Sequence, residues 1–245
     1  MNPAELAAIV SPVLGDALLG FDVDGVLAPI VEHADQSRLI PGTHGALRAL
    51  SERTMVAILS GRSLESLERL FAFPAGLHVI GSHGLEERGV GLITLDEDEQ
   101  DRLDRLEILG SKAVESAGRG AWLECKPASV VVHTRSADKA LAEPAIATLT
   151  SLARMIGGAQ VKVGQEVVEL LARTASKGAA LLELADRTDR VPIVFVGDDL
   201  TDEEAFQVMG PGDISVRVGP GETSARFRLD SPEGVADFLQ LLVTS

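Results

Sequence analysis

Several short stretches of the chain are continuous apolar runs, and segments with a helical pattern separate them. An unbroken apolar run indicates a strand buried on both faces, whereas apolar residues three and four positions apart indicate a helix with one buried side. Buried strands are predicted at residues 18–23, 55–59, 77–80, 192–196 and 214–218. Helices are predicted at residues 45–53, 64–71, 176–187 and 235–243. Strands that alternate with helices in this way predict an α/β fold, a doubly wound parallel sheet covered on both faces.

The middle of the chain has a different pattern. Residues 121–126 and 130–135 alternate between apolar and polar, which indicates a sheet with one apolar and one polar face. Two more short strands are predicted at residues 159–163 and 167–171, with helices ending near Gly118 and spanning 138–155. We therefore predict a smaller α+β domain at residues 99–171, inserted into a core formed by residues 1–98 and 172–245.

The polar and apolar sides of this second sheet are assigned from the alternation. Leu123, Cys125, Val130 and Val132 are predicted to pack on the helices. The opposite face carries Trp122, Glu124, Lys126, Val131, His133 and Arg135. We expect these polar groups to face a cleft, although His133 and Arg135 also fit ordinary exposed strand positions.

Composition and charge limit the class of protein. The net charge of −15 argues against a nucleic-acid binder, and no apolar run approaches the ~18 residues of a membrane span. A single cysteine, Cys125, excludes an internal disulfide, and no lysine or arginine precedes Arg38, whereas a signal peptide would begin with a positively charged region. We expect a soluble cytoplasmic enzyme with a small-molecule substrate, no nucleic-acid partner and no membrane partner. The sequence leaves the oligomeric state open.

The first buried strand ends in two aspartates, Asp22 and Asp24, followed by Gly25. Side chains alternate along a strand, so the two carboxylates share one side where the chain is extended. A divalent cation would offset their repulsion, which would free one carboxylate to attack and the other to carry a proton. An acidic turn is the alternative explanation for this pair.

Three more polar stretches follow strands or begin helices of the predicted parallel sheet. They are Ser60 with Gly61, Lys177, and the acidic group Asp198, Asp199 and Asp202. Ligands of such sheets bind at the carboxyl ends of the strands, so we expect these groups to converge with Asp22. Ser60 alone could be a loop serine, Lys177 a solvated helix residue and Asp202 a helix N-terminal charge. Only their combination indicates a catalytic site. We also predict that Thr201 caps the helix that carries Glu203 and Glu204.

Together these four motifs resemble the haloacid dehalogenase superfamily of Mg²⁺-dependent phosphohydrolases. The resemblance implies that Asp22 attacks phosphorus and that Asp24 is the general acid and base. Ser60, Gly61 and Lys177 would bind the phosphoryl group, with Arg62 also on the substrate. Mg²⁺ would be held by Asp22, the backbone carbonyl of Asp24, and Asp198. Asp199 and Asp202 would hold outer waters or orient Lys177.

Three further stretches resemble the trehalose-6-phosphate phosphatase family within that superfamily. They are the G-x-H-G-x-E signature at residues 81–86, the E-x-K…H-x-R pattern from Glu124 to Arg135, and the G-D-D-x-T-D-E-x-A-F pattern at residues 197–206. The resemblance implies an α/β cap in which Glu124, Lys126 and Glu169 hold the glucose unit remote from the phosphate. Arg135 would contact substrate or steady the cap. His83 would line the cleft or be a satisfied turn histidine.

The chain departs from that family's pattern at two positions. Residues 169–172 are Glu-Leu-Leu-Ala where the family commonly has E-[IV]-R-P, although Arg173 is close by, and Val26 replaces a usual threonine. The leading hypothesis is hydrolysis of trehalose 6-phosphate. A phosphorylated pseudo-disaccharide such as validoxylamine 7′-phosphate is the nearest alternative substrate. A sugar phosphomutase and a non-enzymatic phospho-aspartate receiver domain are the other hypotheses.

Overall fold

The computed structural model describes residues 1–92, 95–173 and 176–245. The strands in these ranges are β1 (Leu18–Phe21), β2 (Met55–Leu59), β3 (His78–Gly81), β4 (Glu86–Glu87), β5 (Gly91–Leu92), β6 (Trp122–Lys126), β7 (Ser129–His133), β8 (Gln160–Gly164), β9 (Val167–Leu171), β10 (Ile193–Gly197), β11 (Ile214–Val218) and β12 (Phe227–Leu229). The α-helices are α1 (Pro3–Val10), α2 (Thr43–Ser51), α3 (Leu64–Phe71), α4 (Glu97–Ala117), α5 (Lys139–Arg154), α6 (Lys177–Thr188), α7 (Leu200–Val208) and α8 (Pro232–Thr244).

The chain divides into two compact units, and the larger one contains Met1–Gly91 and Ser176–Ser245. Its sheet has the strand order β12-β11-β10-β1-β2-β3-β4-β5. The pairs from β12 to β3 are parallel, and β4 then pairs with β3 in the antiparallel direction. The strand order runs outward from β1 in both directions, as a doubly wound sheet requires. The predicted fold class is confirmed.

Both faces of this sheet are covered because consecutive residues of its strands alternate between two cores. Leu19 and Phe21 of β1 pack with residues of α1, α2, α3 and α8. Leu18, on the opposite face, packs with Leu181 of α6 and Phe206 of α7. The central strands β1, β2 and β10 therefore have an apolar residue or glycine at every position, which is why the sequence pattern predicted them.

The smaller unit is Leu92–Ala175, and its four-stranded sheet has the order β6-β7-β9-β8 with antiparallel pairs throughout. One face packs on α4 and α5 through a core that includes Leu106, Leu149 and Val132. The other face is polar, as the alternation predicted. The predicted inserted segment, residues 99–171, lies within this unit, and its role as a cap domain stays a prediction.

Two expectations for the second sheet are wrong. Strand β7 ends at His133, because a turn follows in which the amide of Ala137 donates to the carbonyl of Thr134 at 2.9 Å. Arg135 therefore lies in that turn and not on the strand face. Cys125 is exposed although Leu123 packs in the core, because β6 is the edge strand of the sheet.

Four of the described helices and strands, namely α1, β4, β5 and β12, lie where the sequence pattern predicted no element. Helix α1 begins with a reciprocal cap between Asn2 and Glu5, and the first predicted helix is Thr43–Ser51 rather than 45–53. None of the helices among the described residues is both long enough and apolar enough to span a bilayer.

Candidate active site

Asp22, Lys177 and Asp202 form a buried ion-paired group at the carboxyl end of β1. Lys177 Nζ lies 2.8 Å from Asp22 Oδ2 and 2.9 Å from Asp202 Oδ1. Lys177 is 1% exposed and Asp202 is fully buried. Burial alone would lower the pKa of Lys177, but the two carboxylates reverse this effect and raise it, so the amine stays charged. Burial raises the pKa of Asp22, and the charge of Lys177 opposes that rise.

Asp202 also holds the loop between β10 and α7. Its Oδ2 accepts hydrogen bonds from the backbone amides of Asp198 (2.8 Å) and Asp199 (3.1 Å). Gly197 is required beside it, since a Cβ at this position would lie 2.3 Å from Cβ of Asp202. Asp202 thus connects Lys177 to the loop that carries Asp198.

Asp199 is the N-cap of α7. Its Oδ1 accepts from the amides of Thr201 and Asp202, at 2.8 and 3.0 Å. The prediction that Thr201 caps this helix is wrong, because the cap lies two residues earlier, at Asp199, and the helix begins at Leu200. Burial would raise the pKa of Asp199, but the charge of Lys177 and the hydrogen bonds with Thr201 and Asp202 outweigh burial and lower it.

Asp198 completes an acidic cluster that could hold a metal ion. One carboxylate oxygen from each of Asp22, Asp198 and Asp202 lies within 4.8 Å of the others. Asp198 lies against Gly25, whose φ is +78°, and a Cβ there would be 2.1 Å from Asp198 Oδ2. Burial and the charges of Asp202 and Asp199 raise the pKa of Asp198 to about 7. Oxygen donors that repel one another in this way fit a hard divalent cation. Asp202 is the least available ligand, because Lys177 and two amides already use both its oxygens.

The carboxylate of Asp24 points to a different partner, Arg62. Arg62 Nε and Nη2 donate to Asp24 Oδ2 and Oδ1 at 2.5 and 2.7 Å, a bidentate pair. The buried hydroxyl of Ser37 also donates to Asp24 Oδ1, at 3.1 Å. Arg62 was predicted to bind substrate, but in this structure it binds Asp24, the predicted general acid and base. Ser37 carries no sequence signal that could have identified it.

The loop after β2 brings Ser60, Gly61 and His83 together. Ser60 is 2% exposed, and its carbonyl accepts from the His83 amide at 2.9 Å. A Cβ on Gly61 would lie 2.7 Å from two atoms of the His83 ring, so the imidazole lies directly on the Gly61 backbone. His83 thus packs against the predicted phosphoryl-binding loop.

Glu86, the last residue of the G-x-H-G-x-E stretch, had no predicted role. Its Oε2 accepts from the Leu64 amide at 2.7 Å, and its Oε1 accepts from the Ser82 hydroxyl at 2.5 Å. Leu64 is the first residue of α3, where backbone amides lack partners within the helix. Glu86 therefore fixes the helix that follows Ser60 and Arg62, and the signature itself was the signal that could have indicated this.

In the second unit the polar sheet face carries Glu124, Lys126 and Glu169. Lys126 Nζ lies 3.1 Å from Glu169 Oε1, which also accepts from the Ser129 hydroxyl at 2.8 Å. Glu124 Oε2 lies 2.9 Å from His133 Nε2. Arg135 is apart from this group, with a side chain that is 66% exposed and 3.9 Å from Glu166.

Comparison with known proteins identifies the family of this chain. A family model described as trehalose-phosphatase matches residues 20–233. The chain belongs to the trehalose-phosphatase family. Relatives include trehalose-phosphate phosphatase of Mycobacterium tuberculosis (strain ATCC 25618 / H37Rv), 35% identical over 91% of this chain, and trehalose-6-phosphate phosphatase of Escherichia coli (strain K12), 34% identical over 92%. The chain spans 60% of the mycobacterial relative and 86% of the E. coli one.

Solved structures support the same fold. The C-terminal domain of C. albicans trehalose-6-phosphate phosphatase aligns with a TM-score of 0.79 and 23% identity over 100% of this chain and 97% of that one. A haloacid dehalogenase-like hydrolase from B. subtilis aligns with a TM-score of 0.61 and 19% identity over 91% of this chain and 98% of that one. The trehalose-phosphatase family thus shares its fold with the haloacid dehalogenase-like hydrolases, as the sequence motifs predicted.

Proposed function

We propose that this chain is a Mg²⁺-dependent phosphatase that hydrolyses trehalose 6-phosphate to trehalose and phosphate through an aspartyl-phosphate on Asp22. The observation that carries the proposal is the buried group of Asp22, Lys177 and Asp202 beside Asp198. Family membership and the names of the relatives support the substrate.

In the first step Asp22 attacks phosphorus, and the bond from phosphorus to the sugar oxygen breaks. Asp24 gives its proton to that departing oxygen. Ser60, the Gly61 amide and Lys177 donate to the phosphoryl oxygens, where negative charge is held in the transition state. Mg²⁺, held by Asp22, Asp198 and the Asp24 carbonyl, would supply positive charge to the same oxygens.

In the second step Asp24 takes a proton from water, whose oxygen attacks phosphorus of the aspartyl-phosphate. The bond to Asp22 breaks, and phosphate leaves with the nucleophile regenerated. Because Arg62 holds both oxygens of Asp24 in this structure, we infer that Asp24 exchanges Arg62 for the reacting groups during turnover.

For the sugar, we infer that the polar face of the β6–β9 sheet supplies the contacts. Glu124, Lys126 and Glu169 place two carboxylates and an amine on that face, and such groups pair with hydroxyls. A site built from polar partners rejects ligands that lack the matching hydroxyls. The substrate preference is therefore expected to depend on this unit.

The test is phosphate release from trehalose 6-phosphate, glucose 6-phosphate, sucrose 6-phosphate and validoxylamine 7′-phosphate, with Mg²⁺ and with chelator. We expect Mg²⁺-dependent release with preference for trehalose 6-phosphate, and a loss of at least about 1,000-fold in Asp22→Asn, which removes the nucleophile. Full turnover by Asp22→Asn would disprove the mechanism. An isomerised sugar phosphate would indicate a mutase, and a stable phosphorylated Asp22 without turnover would indicate a receiver.

A further inference from the structure

An aromatic pair lies on the polar face of the second unit's sheet, beside the predicted sugar contacts. Trp122 begins β6 and His133 ends β7, and the antiparallel register places them directly opposite each other. Their ring centroids are 3.9 Å apart and their planes differ by 6°. Trp122 is the only tryptophan in the sequence and is 52% exposed. Neither ring has a role in the proposed reaction.

His133 connects this stack to Glu124. Its Nε2 lies 2.9 Å from Glu124 Oε2, and this hydrogen bond is the main reason that the pKa of Glu124 is lowered. An imidazole can rotate about its bond to Cβ, because that torsion has a broad minimum. Trp122 packs flat on the ring and restricts this rotation, so the bond from His133 to Glu124 keeps one direction.

Glu124 depends on this stack more than the neighbouring carboxylate does. Glu169 is held by Lys126 and by the Ser129 hydroxyl. Glu124 occupies the edge strand, where its carboxylate is bonded to His133. Register places Glu124 across from Val131 and Val131 across from Glu169, so the backbones of the two glutamates lie two strand spacings apart, about 10 Å.

We propose that Trp122 is a positioning residue for sugar recognition. By stacking on His133, it fixes the Glu124 carboxylate in the orientation that accepts hydrogen bonds from the substrate's sugar hydroxyls. The inference rests on the proposed function, in which Glu124 contacts the sugar. It assigns to Trp122 an effect on sugar binding and none on the phosphoryl chemistry.

The test compares Trp122→Leu, which removes the stack, with Trp122→Phe, which keeps an aromatic ring. Substrates are trehalose 6-phosphate and phenyl phosphate, which has no sugar. We expect Trp122→Leu to raise KM for trehalose 6-phosphate about tenfold with kcat within about twofold, since it weakens one charge-assisted hydrogen bond. Trp122→Phe is expected to restore most of the loss, and phenyl phosphate hydrolysis to stay unchanged. Equal losses on both substrates would overturn the inference.

A double-mutant cycle tests whether Trp122 acts through Glu124. In a Glu124→Gln background, Trp122→Leu is expected to add less than about twofold to KM. A further tenfold increase in KM in that background would show that Trp122 does not act through Glu124. Trp122 is half exposed, so Trp122→Leu is expected to fold, and its thermal transition checks this.

Failure of the proposed function is recognised separately. If the wild type releases no phosphate from trehalose 6-phosphate, that function fails. Binding is then measured without turnover, by titrating Asp22→Asn with trehalose 6-phosphate and following the fluorescence of Trp122. A saturable change that Glu124→Gln abolishes supports the role of Trp122, and an unchanged spectrum overturns it.

Discussion

At the scale of single residues, the site contains more negative charge than its buried position favours. Asp22, Asp198 and Asp202 surround a single buried ammonium, Lys177. Desolvation raises the pKa of each of the three carboxyl groups. Either a bound cation or protonation relieves the repulsion among these carboxylates, so metal binding and proton binding compete.

This competition predicts a pH-dependent effect of Mg²⁺ on stability. The pKa of Asp198 is about 7 in the folded protein, above its ordinary value of 3.8. The folded state therefore binds more protons between these values, and the free energy of unfolding contributed by Asp198 falls as pH rises from about 4 to about 7. We expect saturating Mg²⁺ to raise Tm by about 5 °C at pH 7 and by much less at pH 5.

The measurement is thermal unfolding of the wild type and of Asp198→Asn, each with chelator and with Mg²⁺. Asp198→Asn lacks the titrating charge. In chelator, its Tm is therefore expected to rise relative to the Tm of the wild type as pH increases to 7. Its response to Mg²⁺ is expected to be small. An equal Mg²⁺ response in the variant would show that Asp198 is not a ligand.

The sequence predicted the convergence of Asp22, Lys177, Asp198 and Asp202, but not the partners of Asp24 and His133. Convergence follows from strand order, since residues after parallel strands meet at one edge. The pair between Asp24 and Arg62, the bond from Ser37, and the stack of Trp122 on His133 depend on side-chain directions. Those directions are fixed only when the loops and strands pack.

At the scale of elements, Glu86 links strand β4 to the first turn of α3 and to Ser82. Ser82 in turn donates its amide to the carbonyl of Arg62, at 2.8 Å. We predict that Glu86→Ala lowers the free energy of unfolding by about 2–4 kcal/mol, because two partly or fully buried donors lose their acceptor. Glu86→Gln keeps a carbonyl acceptor and is expected to cost less.

Urea unfolding of both variants measures this. Glu65→Ala is the matched control, because Glu65 is an exposed glutamate in the first turn of α3, the turn that Glu86 contacts. If Glu86→Ala costs no more than Glu65→Ala, the anchoring role of Glu86 is wrong.

Most elements of the parallel sheet were predicted within about two residues, because its central strands are continuous apolar runs between polar loops. The helix after β10 was predicted, but its N-cap was assigned to the wrong residue. Thr201 and Asp199 are both good N-cap residues, and the structure has Asp199 as the cap, in a reciprocal arrangement with Asp202. Strand β12 has three residues, too few for a periodic pattern.

At the scale of the whole molecule, each compact unit has its own hydrophobic core. Among the described residues, the two cores of the larger unit contain no residue from Leu92–Ala175, and the core that includes Leu106 contains no residue from outside that range. We predict that replacing residues 92–175 with a short Gly/Ser linker leaves phenyl phosphate hydrolysis within about tenfold. The kcat/KM for trehalose 6-phosphate is expected to fall at least about 100-fold, because the polar sugar contacts are removed.

Kinetics on both substrates measures this, after circular dichroism has shown that the deletion protein is folded. Retained preference for trehalose 6-phosphate over glucose 6-phosphate would contradict the assignment of specificity to the second unit.

The burial of Lys177 has a chemical consequence for handling the protein. The sequence has five lysines, and Lys112, Lys126, Lys139 and Lys162 all belong to the Leu92–Ala175 unit. Lys177, the fifth, is enclosed by two carboxylates and kept protonated, and acylating reagents attack only the free amine. Among the lysines, amine-reactive dyes or surface coupling would therefore modify those of the smaller unit, and acylation of Lys177 would report that the native site has opened.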